Sequence, residues 1–425
     1  MIKQIIYDIL LPVIIPVRRV CNSLPYRKRE KHFSEVVQEI RQRGKKIRFG
    51  AYVMYDSDYS FDSVFRKMLE NDSLWDPKVI VIPDVLRGKK NSREVYLRTK
   101  QFLIDLYGED MVLDGWDLND NYYDHLDDLD VVYYNNPYDY MAHKYHSIQY
   151  AAEKKILPVY VTYGYEVSST FTQIRLCSKE INSLWRCYTD TVYSYNDYCR
   201  YEAVKGKNVK LVGYAKMDNL APVLSKPQVN KRKTILITPH HTVKNKKLPL
   251  SNFLRYNDLF LRLPEMFPDI DFIFRPHPFL FVTLINEKIW TEKQVNDYID
   301  ELSKRGIYYS VGGYYFDVFA KADAIINDSG SFSVEWLFTG KPGCFMWNPK
   351  LKKSQMTTLM QKAVSEYSIA YNEDDIISFV KTINSECAAG TCEMKEWVKK
   401  NIAVNYPNVA QAIITDLTDE LFVKE

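Results

Sequence analysis

The chain reads as an α/β protein made of two Rossmann-like, doubly wound domains facing each other across a cleft. Three observations lead there. From Lys46 onward, short β-branched or aromatic runs alternate with helical patterns, and such alternation gives a parallel sheet covered by helices on both faces. The alternation halts at a polar stretch, LSKPQVNKRK at 224–233, and then restarts. With 425 residues the chain has room for two or three domains of roughly 150 residues each.

Taken in order, RFGAYVMYD (48–56) predicts a strand and FDSVFRKMLE (61–70) a helix. VIVIP (79–83) predicts a strand and SREVYLRTKQFLIDLY (92–107) a helix. Strands follow at DVVYY (130–134), PVYVTY (158–163), DTVYSY (190–195) and VKLVG (209–213), with a helix near 143–155. Beyond the polar stretch, TILITP (234–239), IDFIFRP (270–276), DAIIND (323–328) and GCFMW (343–347) predict strands. Helices are expected over 251–267, near 293–305 and over 331–340, and two helical stretches, near 355–386 and 393–422, close the chain. The domain plan is therefore an N-terminal segment and basic linker over 1–45, a first Rossmann-like domain over 46–222, a second over 223–402, and a last helix over 403–425 that packs back on the first domain.

Composition narrows the function. Hydrophobic residues at 46% and charged residues at 26% are ordinary for a globular protein with a sizeable core. A net charge of +3 lacks the strong basic excess of a nucleic-acid-binding domain. Seven cysteines without a CxxC pair argue against a disulfide framework or a zinc ribbon and for a reducing, cytosolic setting. Fifteen glycines are about half the usual share, and GxGxxG, GxxxxGK[ST] and GxSxG are all absent. No cofactor and no bound metal are expected. The opening MIKQIIYDILLPVIIPV is apolar but broken by Asp8, Pro12 and Pro16, so it is too short to span a bilayer. It runs into Arg18, Arg19, Arg27, Lys28, Arg29 and Lys31, which suits a protein lying on the anionic cytoplasmic face of a membrane.

In doubly wound sheets ligands bind beyond the carboxyl ends of the strands, and four such ends in the second half are unusually polar. The first is Pro239-His240-His241-Thr242 and the second Arg275-Pro276-His277-Pro278. The third is Asp328-Ser329-Gly330-Ser331, ahead of a helix carrying Glu335, and the fourth is Gly340-Lys341-Pro342. A Ser-Gly-Ser turn at a helix start offers backbone N–H groups, hydroxyls and the positive helix end to an anion, and Gly330 allows close approach of a phosphate. Glu335 is placed to accept from ribose hydroxyls. Arg275 supplies a charge-assisted hold on phosphate, and His277 a donor to a leaving oxygen. His240 and His241 join this donor set, although one of an adjacent pair usually points away.

The segments ITPHH, RPHP, NDSGSFSVEWLFTGKP and LVGYAKMD resemble the CDP-glycerol glycerophosphotransferase family of teichoic-acid and capsule synthesis, over about 150–360. The resemblance implies a GT-B fold, a CDP-alditol donor held by the C-terminal half, and a polysaccharide or lipid-linked acceptor. It also implies association with the inner leaflet of the cell membrane. The reaction it implies is transfer of an alditol phosphate with release of CMP, with His277 catalytic. The family's Trp-His-Gly-Thr-Pro motif is replaced here by Thr162-Tyr163-Gly164-Tyr165-Glu166. Either Glu166 takes the role of the missing acceptor-side histidine, or the acceptor chemistry differs. Asp56, in Asp56-Ser57-Asp58 after the first strand, is a further candidate on the acceptor side. Three other readings stand beside this one: a nucleotide-sugar glycosyltransferase of capsule or lipopolysaccharide synthesis, a UDP-N-acetylglucosamine 2-epimerase-like enzyme, and an inactive donor-binding scaffold. The epimerase family's D-S-G-G-x-x-E-E segment is similar to Asp328–Glu335.

Overall fold

A computed structural model of the chain describes residues 28–422, apart from 87, 170–175, 202–205, 227–231, 313 and 385–391. The chain forms two compact units. The first takes the chain up to Gly164, then 176–216, and the return from Val404; the second takes the segment beginning at Tyr165, and Met217–Ala403.

The first unit is built on seven strands: β1 (Ile47–Val53), β2 (Trp75–Val81), β3 (Val112–Asp114), β4 (Val131–Tyr134), β5 (Leu157–Val161), β6 (Arg186–Thr189) and β7 (Val209–Leu211). They are all parallel, in the order β3-β2-β1-β4-β5-β6-β7. The central strands are buried on both faces, which is why they read as continuous apolar runs rather than alternating ones. A helix over 28–43 buries Phe33, Val36, Val37 and Ile40, a stripe at helical spacing, in the core of one face. The helix Val409–Leu421 buries Val409, Ala410, Ile413, Ile414, Leu417 and Leu421 in the same core. Arg186 holds this returning helix through Asp416 at 3.3 Å and Glu420 at 2.6 Å.

Gly213, in the motif after β7, has φ +100°, and a Cβ there would lie 2.1 Å from the Val404 carbonyl oxygen. A side chain at 213 would thus meet both backbone strain and the returning chain. The motif glycine serves the path of the C-terminal segment within this unit.

The second unit carries β8 (Lys233–Thr238), β9 (Ile270–Phe274), β10 (Tyr308–Tyr309), β11 (Ala324–Asn327), β12 (Gly343–Met346) and β13 (Ser368–Ala370). The order is β10-β9-β8-β11-β12-β13, again all parallel. The chain therefore winds outward in both directions from the β8–β11 pair. Its core is aromatic and aliphatic, with Phe253, Phe260, Phe272, Phe274 and Tyr298 among the buried rings.

The departures from the sequence reading are local. DTVYSY is not a strand; β6 precedes it and the helix Val192–Tyr201 begins inside it. Thr191 Oγ1 accepts the Ser194 N–H at 3.0 Å, so a capping hydroxyl outweighs the β-branched composition. The stretch near 355–386 is broken by β13 between the helices Thr358–Val364 and Glu373–Asn384. Among the described residues no helix is long and apolar enough to cross a membrane. The apolar N-terminal run expected on a membrane surface lies outside the described residues.

Candidate functional site

The second sheet reverses its strand order at the β8–β11 pair, and the carboxyl ends flanking such a reversal form the usual ligand crevice of doubly wound folds. The loops carrying the predicted histidines, arginine and serines all leave the sheet there. Backbone pairing continues past the strands. The Arg275 N–H donates to the Ile237 carbonyl at 2.8 Å, and the His277 N–H to the Pro239 carbonyl at 2.9 Å. This locks the loop after β9 beside the loop after β8 and brings three imidazoles together. Ring centroids are 4.4 Å apart for His240–His241, 5.0 Å for His240–His277 and 4.1 Å for His241–His277.

All three rings are half-buried. Burial, together with the neighbouring imidazoles, holds the His240 pKa well below the usual histidine range. Burial lowers that of His241. Burial and His241 push His277 down to about 3. The cluster is thus neutral at physiological pH. His277 Nδ1 accepts the Phe279 N–H at 3.1 Å, and His240 Nδ1 lies 3.0 Å from Thr242 Oγ1. The buried Nδ1 of His241 has no hydrogen-bond partner.

Asp328 is fully buried. Its Oδ1 accepts the His240 N–H at 2.6 Å, and its Oδ2 accepts the Asn252 N–H at 2.5 Å and the Asn252 Nδ2–H at 3.2 Å. Asn252 Nδ2 also donates to the Met346 carbonyl at 2.8 Å. Burial raises the Asp328 pKa to about 7 against these donors. This carboxylate, predicted as a donor ligand, ties the histidine loop to the end of β11. Asn252, which makes the tie possible, reads in the sequence as nothing more than a helix start.

Arg275 and Glu335 are buried as well, at 8% and 3% exposure. The Arg275 guanidinium donates to Ser310 Oγ at 2.7 Å and to the Gly312 carbonyl, and lies 5.5 Å from the centre of the Tyr315 ring. The Tyr315 hydroxyl in turn donates to Glu335. Ser310, Gly312 and Tyr315 carry no sequence motif, because they follow the two-residue strand β10.

Ser329 stands at the start of the helix Gly330–Glu335 in extended conformation, and its hydroxyl makes no capping bond. The Ser333 hydroxyl is spent on Asn327 Oδ1 at 2.8 Å and the Ser329 carbonyl at 2.6 Å. Ser331 is half-buried. The space a Cβ would take at Gly330 is occupied by Val167, whose Cγ2 would be 2.6 Å away. Glycine is therefore needed here for packing against the segment that follows β5.

That segment, which contains Glu166, belongs to the second unit. Thr357 Oγ1 donates to the Glu166 carbonyl at 2.7 Å, and the Thr357 N–H to the Val167 carbonyl at 3.0 Å. Ser169 bonds the carbonyls of Gln355 at 3.0 Å and Ser354 at 2.6 Å. The half-buried Glu166 side chain is thus carried on a backbone fixed beside the serine helix. Asp56 lies in the first unit, where Arg98 grips both its oxygens at 2.9–3.2 Å. Lys341, in the Gly-Lys-Pro step, donates to the carbonyls of Phe319, Ala320 and Ala322 at 2.6–3.1 Å. It closes the carboxyl end of the helix Phe316–Lys321, a structural use of a cation at a helix terminus.

No protein-family model matches the chain, and no curated protein does. Solved structures do. The wall teichoic acid polymerase TagF, in a crystal soaked with CDPG, superposes with a TM-score of 0.58 at 12% identity, over 96% of this chain and 96% of that one. UDP-GlcNAc 2-epimerase from Neisseria meningitidis, bound to UDP-GlcNAc, gives 0.58 at 15% identity over 87% of this chain and 99% of that one. A putative UDP-N-acetylglucosamine 2-epimerase from Listeria monocytogenes gives 0.56 at 10% identity, over 88% and 96%. The fold is GT-B. At these identities the likeness speaks for the architecture alone.

Proposed function

We propose that the chain is a transferase moving an alditol phosphate, glycerol phosphate from CDP-glycerol above all, onto a cell-surface polysaccharide or teichoic-acid-like acceptor. The observation that carries the reading is the packing of His240, His241 and His277 within 4.1–5.0 Å of one another where the second sheet reverses its strand order. Nearby, Ser329 stands at a helix start with no capping bond from its hydroxyl, and Ser331 lies in the first turn of that helix. In this reading the donor diphosphate lies across these loops. Asp328, Arg275 and Glu335 hold the loops in place from behind. An acceptor oxygen attacks the β-phosphorus, a new O–P bond forms, and the bond from that phosphorus to the bridging oxygen breaks. CMP leaves with the bridging oxygen and its electron pair. The acceptor proton passes to a base, for which Glu166 is the candidate on the second unit. Such transfer depends on positioning and charge stabilisation. A membrane-bound acceptor fits the apolar and basic N-terminal sequence.

A second reading, an epimerase acting on UDP-N-acetylglucosamine, is favoured by the equal superposition on the Neisseria meningitidis enzyme. A thermal-shift panel with CDP-glycerol, CDP-ribitol, UDP-N-acetylglucosamine and CMP separates the two. Stabilisation by CDP-alditols, with CMP release on a polyol-phosphate acceptor that His277→Ala abolishes in a folded protein, supports the transferase. Stabilisation by UDP-N-acetylglucosamine alone defeats it.

A further inference from the structure

The three imidazoles can do something that phosphate recognition alone does not require. Each offers a ring nitrogen, and these nitrogens lie within 4.8 Å of one another. Among the described residues this is the one group of histidine, cysteine or acidic side chains that close. We propose that His240, His241 and His277 form a three-histidine site for a divalent transition-metal ion of the zinc class, with the remaining position open to water or a phosphate oxygen.

Four features support it. The rings are held in a fixed register, since the His240 N–H is bonded to Asp328 and the His277 N–H to the Pro239 carbonyl. The ligand type fits: three imidazoles with an open fourth position are an established zinc arrangement. Thr242 Oγ1 sits 3.0 Å from His240 Nδ1, and in the tautomer whose Nδ1–H donates to that hydroxyl, Nε2 is free to ligate. Finally, the Nδ1 of His241 is buried and makes no hydrogen bond.

The geometry also states what must move. Bonds of about 2.0–2.1 Å in a tetrahedron place ligand atoms roughly 3.3–3.4 Å apart. The widest pair, at up to 4.8 Å, closes by about 1.5 Å on binding. His277 Nδ1 accepts from the Phe279 N–H, so ligation gives up that one exposed bond. The Arg275 guanidinium donates to Ser310 and Gly312, and Lys341 to three carbonyls, so a bound cation would add positive charge at the imidazoles themselves. Use of the ion to hold a donor diphosphate rests on the transferase reading; the ion site itself does not.

The test uses the full chain without a polyhistidine tag and without nucleotide. Co2+ is titrated as a spectroscopic stand-in and then displaced by Zn2+. The proposal expects one equivalent of Co2+ with the intense visible bands of a four-coordinate ion held by three imidazoles and water, bleached by Zn2+. His241→Gln and His277→Gln should each weaken binding by more than the 10–100-fold typical of a lost supporting contact, with circular dichroism unchanged. Weak six-coordinate spectra in the wild-type protein, no saturable binding, or binding unaltered in either folded variant would overturn it. The wild-type spectrum decides even if a variant fails to fold.

Discussion

Gly330→Ala is the sharpest test of how the serine loop is held. The backbone at 330 is ordinarily helical, so alanine alone should gain about 1 kcal/mol in helix propensity. Its Cβ, however, would stand 2.6 Å from Val167 Cγ2, about 1 Å inside normal carbon–carbon contact. Val167 has little freedom to retreat, because the segment from Glu166 to Ser169 is hydrogen-bonded at four points to residues 354–357. Overpacking of this kind costs about 1–3 kcal/mol, so the net loss should be about 0–2 kcal/mol. Trimming the neighbour should reverse the sign. With Val167→Ala in place, the next atom is the residue's own Cβ at 3.4 Å, an ordinary contact, and alanine at 330 then stabilises. The four proteins of the cycle are compared by denaturant unfolding, with amide exchange of the peptide spanning 329–336 as a local readout. A favourable coupling of about 1–3 kcal/mol is expected on these figures. Additive single effects would refute the packing argument and return Gly330 to the role of a phosphate-approach residue.

Further outcomes follow from the same geometry. Asp328→Asn replaces one acceptor oxygen with a donor facing a backbone N–H, His240's or Asn252's. The unfolding midpoint should fall by the equivalent of about 1–3 kcal/mol, with the proposed transfer activity lost faster than stability as the histidine loop loses its anchor. Gly213→Ala combines positive φ with a 2.1 Å approach to the Val404 carbonyl. It should loosen the Val409–Leu421 helix, read as faster amide exchange there. Asp190 is fully buried and its carboxyl is pushed up to about 6 by that burial, despite the nearby hydroxyls of Ser194 and Thr191. A raised carboxyl pKa means the folded state holds its proton longer than the unfolded one. Stability should therefore fall as pH rises from about 4 through 6, by about 3 kcal/mol in all. Asp190→Asn should flatten that part of the pH–stability curve and raise the plateau above pH 6; an unchanged curve would contradict the assignment.

Much of this was legible in the sequence, because the signals were of the right physical kind. Strands buried on both faces are written as unbroken apolar runs, and β1, β4, β8, β9 and β11 were all read within a few residues. The short edge strands β3, β10 and β13, of three, two and three residues, were not, since so few residues carry no pattern. The polar loops after β8, β9 and β11 are legible as candidates because ligand crevices follow strand ends, and the structure places them side by side. What each residue does there was less readable. Asp328, Arg275 and Glu335 look alike in sequence to residues that meet a ligand, yet each is below 10% exposed and hydrogen-bonded within the protein, where it braces the neighbouring loops. Only the fold brings Asn252 to Asp328, 76 residues apart, and Val167 onto Gly330. The neutral three-histidine cluster likewise depends on the β8–β9 pairing, which no local motif records.

The account stands on the loops after β8, β9 and β11 being the place where a nucleotide diphosphate binds. Hydrogen–deuterium exchange of the full chain, with and without CDP-glycerol, tests this most directly. Slowed exchange concentrated in peptides covering 240–242, 277–280 and 329–333 is the predicted result. Protection confined to the first unit, or none at ligand concentrations that raise the melting temperature, would contradict it.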